Sequence, residues 1–405
     1  MDYTLYPLLF QVCPVFFAIS FFLLIFMEKL KSFCYNSILK RTTSEVLYMK
    51  KIVLTGGGTA GHVTPNLALL PKLKELGYEI TYMGSVDGIE KKLIADFDIP
   101  YYGVPVGKLR RYLDPKNLTD PFKVIKGFFE AKKYLKEIKP DVVFSKGGYV
   151  AVPVVRAAAS LKIPCIIHES DLTPGLANKL CIPKALKVCC NFPETVSKLP
   201  ENKAELTGSP VRAELFEGNA DAAREMCGFN KEKPVIMVIG GSTGSVAINK
   251  AVRKALPELL KDYQVVHLCG NGRIDNLLLT TEGYKQFEYL KSELKDVMAM
   301  SDLVISRAGA NAICELLSLR KPNLLIPLSK AASRGDQILN ANSFEAQGYS
   351  LVLQEEDLDE ITLVAKVKEL DENKEKYIEA MENSSQINAI DKIISLIEDA
   401  VINRP

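Results

Sequence analysis

From Lys51 onward, short apolar runs alternate with amphipathic stretches, the pattern of successive βαβ units in a parallel sheet. Runs at 52–54, 80–83, 142–145, 165–167 and 187–190 predict buried strands in the first half, and Leu206–Arg212 reads as a final strand leaving it. Glu214 to Lys233 is acidic and polar, with the character of a link plus a surface helix. A second series starts at Pro234, with runs at 235–239, 264–268, 303–306, 323–326 and 350–353. Near the end, Ile387, Ile390, Ile393, Ile394 and Ile397 stand at helical spacing, so a last helix must pack one face against the body. The pattern divides the chain into an N-terminal extension (1–48), two α/β domains (49–212 and 213–386) and a helical segment (387–405) expected to return to the first domain.

The two halves repeat their landmarks. Gly57-Gly58-Thr59-Ala60-Gly61-His62 follows the run at 52–54, and Gly240-Gly241-Ser242-Thr243-Gly244-Ser245 follows the run at 235–239, 183 residues later. Each opens an amphipathic helical stretch, and a glycine turn at a helix start offers bare N–H groups and a positive dipole end to an anion. Further on, Asp141-Val142-Val143-Phe144-Ser145-Lys146-Gly147-Gly148 is echoed by Asp302-Leu303-Val304-Ile305-Ser306-Arg307-Ala308-Gly309, and a proline (Pro164, Pro322) precedes the next run in both. Landmarks repeated in order argue for two similar doubly wound domains.

Between landmarks lie 84 residues in the first half (57 to 141) and 62 in the second (240 to 302), a surplus of 22 around Gly103–Lys136. That segment mixes Tyr112, Leu113, Phe122 and Ile125 with Lys116, Lys123 and Lys126. Its candidate acceptor and membrane contacts are Lys108, Leu109, Arg110, Arg111, Phe128 and Phe129. Apolar residues beside a basic cluster suit an anionic membrane surface; a helix with a core stripe and a solvated basic face is the other reading.

Leu5–Met27 is a 23-residue stretch without charge, interrupted by Pro7, Gln11 and Pro14 and followed by Lys29, Lys31, Lys40 and Arg41. It is long enough to span a bilayer with the main body on the cytoplasmic side. Met49-Lys50-Lys51-Ile52 also reads as a natural start, which would make residues 1–48 upstream sequence. Both readings stay open. The charge balance, 51 basic against 49 acidic side chains, gives no global field for nucleic acid. Nine scattered cysteines and three histidines argue against a disulfide framework and a zinc site, so no metal and no cofactor is expected.

Gly56-x-Gly58-x-x-Gly61 formally fits a dinucleotide fingerprint, but the run at 80–83 ends in Gly84-Ser85 without the expected acid, and the second loop does not fit. A Walker lysine is absent too. His62 lies in a loop too rich in glycine to be core, at a helix start where a neutral imidazole could take a proton from a hydroxyl or donate to a phosphate. Glu315, early in the helical stretch after Ser306-Arg307-Ala308-Gly309, could accept from both hydroxyls of a ribose, and Ser333-Arg334-Gly335-Asp336-Gln337 puts polar groups at another strand end. Asp357-x-Asp359 lies in an acidic run and reads as a solvated face.

Six spaced motifs now agree: Gly-Gly-Gly-Thr-Ala-Gly-His-Val-Thr-Pro (56–65), Ser-Lys-Gly-Gly-Tyr-Val (145–150), His-Glu-Ser-Asp (168–171) with Pro-Gly-Leu-Ala-Asn-Lys (174–179), Thr-Gly-Ser-Pro-Val-Arg (207–212), Gly-Gly-Ser-Thr-Gly-Ser (240–245) and Ser-Arg-Ala-Gly-Ala-Asn (306–311). Together they resemble the bacterial peptidoglycan N-acetylglucosaminyltransferases, which make lipid II from lipid I, over about residues 49–402. The resemblance implies a GT-B fold, two Rossmann-like domains facing across a cleft, and peripheral association with the cytoplasmic face of the cell membrane. It also implies inverting transfer of N-acetylglucosamine from UDP-GlcNAc to the 4-hydroxyl of undecaprenyl-diphospho-N-acetylmuramoyl-pentapeptide. Carried across, His62 is the candidate base on the acceptor-side loop, and Thr59, Ala60 and Gly61 of that loop are counted among the UDP-GlcNAc contacts. Asp171 and Asn178 fall on the sugar-binding segment, Arg212 and Ser242 at the diphosphate, Ala310, Asn311 and Glu315 at the nucleoside, and Asp336 and Gln337 at the sugar. Some relatives carry Gln-Asn at 170–171 and Gln-Gln at 336–337, where this chain has Ser-Asp and Asp-Gln. The rival readings are another UDP-sugar GT-B enzyme, such as a glycolipid synthase or a UDP-GlcNAc 2-epimerase, and an inactive sugar-nucleotide binding module.

Overall fold

A computed structural model describes residues 49–107, 116–241, 243–330 and 335–404. The apolar stretch 5–27, the basic cluster Lys108, Leu109, Arg110 and Arg111, and Ser242 therefore lie outside the described residues.

Among the described residues, thirteen strands form two parallel sheets. In the first sheet, β1 (Lys51–Thr55), β2 (Glu79–Ser85), β3 (Tyr101–Val104), β4 (Val142–Ser145), β5 (Cys165–Glu169), β6 (Lys187–Cys190) and β7 (Ala204–Leu206) run in the order β3-β2-β1-β4-β5-β6-β7. In the second, β8 (Val235–Ile239), β9 (Gln264–Leu268), β10 (Tyr284–Phe287), β11 (Leu303–Ser306), β12 (Asn323–Leu325) and β13 (Leu351–Val352) run β10-β9-β8-β11-β12-β13. The order reverses between β1 and β4 and again between β8 and β11. Ligands of open α/β sheets bind at such switch points, and both glycine loops sit there, directly after β1 and β8.

Alternation of side chains explains the doubly wound layers. Ile52 and Leu54 enter the core on one face of the first sheet and Val53 enters that on the other; Ile236 and Val238 part from Val235 and Met237 in the same way. The matched aspartates have matched jobs: Asp141 Oδ2 accepts from Lys51 N at 2.7 Å, and Asp302 Oδ2 from Val235 N at 2.8 Å. Each fixes the start of its sheet's first strand from the neighbouring strand.

Two departures from the sequence pattern have simple causes. β3 and β10 escape an apolar-run search because each is an edge strand with a mixed sequence, Tyr-Tyr-Gly-Val and Tyr-Lys-Gln-Phe. The strand expected over Leu206–Arg212 ends at Leu206, since Gly208 adopts φ +77° and Pro210 has no N–H for a ladder. The helix Ala389–Ile402 lies on the first sheet, where Ile393, Ile394 and Ile397 join Ile52, Leu54 and Leu69. Burial of three isoleucines contributes roughly 5–9 kcal/mol. Arg404 Nη1 donates to Asp141 Oδ1 at 2.7 Å and Tyr78 OH to Glu398, which ties down the helix end. The two domains also share core: Leu172 and Phe192 of the first pack into the second's apolar cluster, Phe192 edge-on to Phe344 at 5.9 Å.

Candidate active site

The first loop is shaped by its neighbours. Gly56 and Gly58 take φ +153° and +86°, and a Cβ at Gly58 would lie 2.4 Å from the Tyr149 ring. A Cβ at Gly148 would lie 2.3 Å from Gly57 O and 3.3 Å from His62 Nδ1, so the turn after β4 presses against the loop after β1. Beneath it Glu90 is fully buried and accepts from Gly58 N at 3.1 Å, Ser85 N at 2.9 Å and Ser85 Oγ. This clamp leaves Thr59 and Ala60 exposed and His62 half-buried before the helix Thr64–Glu75. His62 Nδ1 lies 2.9 Å from Thr59 Oγ1. Burial first, then the Lys146 charge, lowers its pKa to about 4 against the pull of Glu90, so the ring is neutral at physiological pH. Beside the loop, a hollow of about 440 Å³ is lined by Ser85, Val104, Lys123 and Tyr149 among others.

The floor of the cleft is a buried polar chain. His168 Nε2 lies 2.8 Å from Gly208 O, an acceptor, so that nitrogen carries the proton and Nδ1 accepts from Lys146 Nζ at 2.9 Å. Lys146 also donates to Ser170 Oγ. Burial pushes the Lys146 ammonium down to about 8 despite the anions around it. Glu169 accepts from Asp171 N at 3.0 Å, Gly175 N at 3.0 Å and Asn178 Nδ2 at 2.9 Å. Asn178 is buried and also donates to His168 O at 3.0 Å, so it braces this turn. Asp171 is half-buried, and burial together with the charge of Asp336 across the cleft raises its pKa.

The second loop repeats the design with different groups. Ser245 caps the helix Val246–Asp262, its Oγ accepting from Ile248 N at 3.3 Å and from Arg307 Nη2 at 2.6 Å. Arg307 Nη1 donates to Ile326 O and Pro327 O, each at 3.1 Å, and pairs with Glu355. A cleft of about 320 Å³ lies over Gly240, Gly241, Thr243 and Gly309, with Gln337 on its wall; Gln337 Oε1 accepts from Leu328 N at 3.0 Å. The helix Ala310–Ser318 starts with no side-chain cap, leaving its first N–H groups toward this space. Ala310 is its first residue; Asn311 crosses to the other domain, where Nδ2 donates to Gly61 O at 3.0 Å. The Glu315 carboxyl forms no hydrogen bond among the described residues, and burial raises its pKa to about 7 against the pull of Arg212. Arg212 is one-third exposed and lies 3.7 Å from Glu214.

The residues singled out in the sequence thus gather at three places: Thr59, Gly61 and His62 with Asn311, Arg212 with Glu315, and Asp171 with Asp336. Phe129 is exposed on the helix Lys116–Ile138, whereas Phe128 turns inward onto the first domain's core. Sequence reasoning missed Glu90, Lys146 and the matched asparagines Asn66 and Asn249, each nine positions after its loop's Gly57 or Gly240. Asn66 Nδ2 bonds Thr55 O and Tyr82 OH; Asn249 Nδ2 bonds Cys269 O while its Oδ1 meets His267 Nε2. The repeat itself carried the asparagine signal.

Comparison with known proteins agrees with this geometry. The glycosyltransferase family 28 N-terminal domain matches residues 52–190, and the glycosyltransferase family 28 C-terminal domain matches residues 235–397. A protein of Lachnospira eligens named UDP-N-acetylglucosamine–N-acetylmuramyl-(pentapeptide) pyrophosphoryl-undecaprenol N-acetylglucosamine transferase is 64% identical over 351 residues, covering 87% of this chain and 99% of its own. One of the same name from Clostridium tetani is 59% identical, covering 86% and 98%. Among solved structures, Acinetobacter baumannii MurG superposes with a TM-score of 0.70 at 27% identity, covering 86% of this chain and 99% of that one. UDP-GlcNAc 2-epimerase from Neisseria meningitidis, at 0.62 and 15%, shares the fold, with coverage of 86% and 99%. With both domains matched in order, and the paired loops, switch points and interdomain contact in place, the chain belongs to glycosyltransferase family 28.

Proposed function

We propose that the protein transfers N-acetylglucosamine from UDP-GlcNAc to the 4-hydroxyl of lipid I, forming lipid II at the cytoplasmic face of the membrane. The observation that carries this reading is the contact between Asn311 and Gly61, which brings a donor-side helix start onto the loop that holds a neutral histidine. Relatives of 57–64% identity bearing the transferase name support the choice of substrates.

The chemistry follows from the parts. With the His62 Nδ1 proton donated to Thr59 Oγ1, the Nε2 lone pair is free to take the acceptor's hydroxyl proton as that oxygen attacks the anomeric carbon. Attack opposite the departing UDP inverts the centre. Arg212 and the amides of the second loop hold the charge growing on the diphosphate, Glu315 accepts from the ribose hydroxyls, and Asp171, Asp336 and Gln337 flank the sugar. Phe122, Ile125 and Phe129 are 73%, 55% and 63% exposed on the helix that also carries Lys123 and Lys126, an arrangement suited to an anionic lipid surface. Lys123 also lines the hollow beside the first loop, so a lipid held there presents its head group toward His62. Among the described residues no helix is long and apolar enough to cross a membrane.

The test is UDP release from UDP-GlcNAc with and without lipid I, with the lipid product identified by mass. Acceptor-dependent release and a product heavier by one N-acetylhexosamine are expected. Conversion of UDP-GlcNAc to its 2-epimer, or binding without turnover, would refute the assignment.

A further inference from the structure

Lys146 and Arg307 hold matching places directly after β4 and β11, yet they are neutralised differently. Arg307 has a carboxylate partner, Glu355. Lys146 is 1% exposed and makes no ion pair among the described residues; its Nζ is held by two neutral acceptors, His168 Nδ1 and Ser170 Oγ. An ammonium withdrawn from water without a direct carboxylate partner is costly, so its counter-charge acts from the next shell. Glu169 acts on Lys146 from this shell, its oxygens held by Asp171 N, Gly175 N and Asn178 Nδ2 inside the turn. Asp171 directly follows Ser170, acts on Lys146, and faces the like charge of Asp336, with Asn340 as its side chain's polar partner among the described residues. Two facing carboxylates do not both stay ionised without a cation to offset them.

We propose that Lys146 is a positioning residue for the sugar end of the donor site, its buried ammonium serving as the counter-ion that keeps Asp171 an anion opposite Asp336. Asp171 then meets a sugar hydroxyl purely as an acceptor. This rests on the proposed function, in which Asp171 and Asp336 flank the transferred sugar. The other titratable groups around Lys146 are His62 on the first loop, His168 and Glu169 on β5, Cys189 on β6 and Cys314 from the second domain. Burial holds both thiols and His168 neutral, so none of these three supplies the missing negative charge.

The experiment is a double-mutant cycle on the full chain with Lys146→Met, Asp171→Asn and the pair, reading kcat, donor KM and their pH dependence. Removing one member of a buried charge pair leaves the other uncompensated, whereas neutralising both does not. Lys146→Met should raise donor KM by about tenfold or more at pH 7, with a smaller change in kcat, as Asp171 takes up a proton. The acid limb that Asp171 contributes to kcat/KM should move up by about two pH units or more. The double variant should bind the donor no more weakly than Lys146→Met, and it should lose the shifted limb. Additive single effects would overturn the pairing, and so would a double variant that keeps the displaced limb of Lys146→Met; the limb near pH 7 that Glu315 contributes is common to all four proteins. If Lys146→Met does not fold, a folded double variant supports the pairing and a double variant that also fails to fold overturns it. Calorimetric UDP-GlcNAc affinity of the same four proteins reads the coupling without any acceptor, so a wrong acceptor assignment and a wrong pairing are told apart.

Discussion

With Glu315 at the donor ribose as proposed, donor affinity becomes a function of pH. The Glu315 carboxyl is half-buried on the helix Ala310–Ser318, and burial lifts its pKa to about 7, with Arg212 pulling it only part of the way back. Only the carboxylate accepts from both ribose hydroxyls, so the proportion ionised before binding sets the apparent affinity. With a pKa near 7, about one-tenth is ionised at pH 6, half at pH 7 and nine-tenths at pH 8. The dissociation constant for UDP-GlcNAc should therefore fall about tenfold from pH 6 to pH 8, or about 1.4 kcal/mol. Isothermal titration at pH 6, 7 and 8 in buffers of different ionisation heat reads both quantities, with close to one proton released per donor bound at pH 6. UDP-GlcNAc is the right ligand, because its diphosphate is esterified at both ends, whereas the terminal phosphate of UDP titrates near pH 6. Glu315→Gln should bind more weakly, by about 1–3 kcal/mol at pH 8, and without pH dependence. A wild-type constant that does not change between pH 6 and 8, or a Glu315→Gln variant with the same slope, would remove Glu315 from the donor site.

Other outcomes follow from the same geometry. His62→Ala should lower turnover by about 10²–10⁴ with donor affinity little changed; loss confined to acceptor KM would make His62 a binding group instead. Because burial keeps His62 neutral down to about pH 4, its acid limb in wild-type kcat should lie well below the ordinary histidine value of 6.5, and a limb at 6.5 would exclude it as the base. Stability has a related sign: the unfolded chain takes up protons near 6.5 that His62, at about 4, and His267, at about 3, refuse when folded. Their contribution is full above 6.5 and declines as pH falls toward 4, which denaturant midpoints at pH 7 and 5 would show. Glu90→Ala strands three donors, Gly58 N on the first loop and Ser85 N and Oγ at the end of β2, and should cost about 3 kcal/mol in urea unfolding along with most of the turnover; an unaffected protein would show that the clamp is dispensable. Replacing Phe122, Ile125 and Phe129 together by Ser should release the protein from anionic vesicles while sparing its thermal midpoint, and undiminished vesicle binding would locate the membrane contact elsewhere.

The fold was legible because its information lies in local, repeated patterns. Apolar runs marked the interior strands, which are buried on both faces, and the doubled loop and doubled aspartate announced two sheets of one design. The edge strands β3 and β10 were not legible, since a strand with one partner tolerates Tyr, Lys and Gln. At the site, residues on the glycine loops could be picked out by type and spacing, but their supports could not. Glu90 reads as the opening of a surface helix until the fold sets it under Gly58, 32 residues away. Lys146 stands inside a repeated landmark, but nothing local shows its role until β5 brings His168 and Ser170 to it. Phe128 and Phe129 are adjacent and alike, and only the packing of their helix decides which faces outward.

The return of the last helix to the first sheet has a bearing on biosynthesis. A ribosome makes the first domain's seven strands before it makes the second domain, yet Ile393, Ile394 and Ile397, which pack with Ile52, Leu54 and Leu69, emerge only after the second domain's strands. Until then the face of the nascent first sheet that carries Ile52 and Leu54 is covered only in part, by the helix Thr64–Glu75, and the rest is a ready place for a chaperone to hold or for a neighbouring nascent chain to stick to. The two domains are thus sequential in the gene but not in the order of completion. Arg404, meeting Asp141 at the base of β4, is a late lock on a sheet begun some 350 residues earlier, counting from Lys51. Truncation by a premature stop within the last helix would leave every loop of the catalytic cleft encoded and still deny the cell a finished first domain.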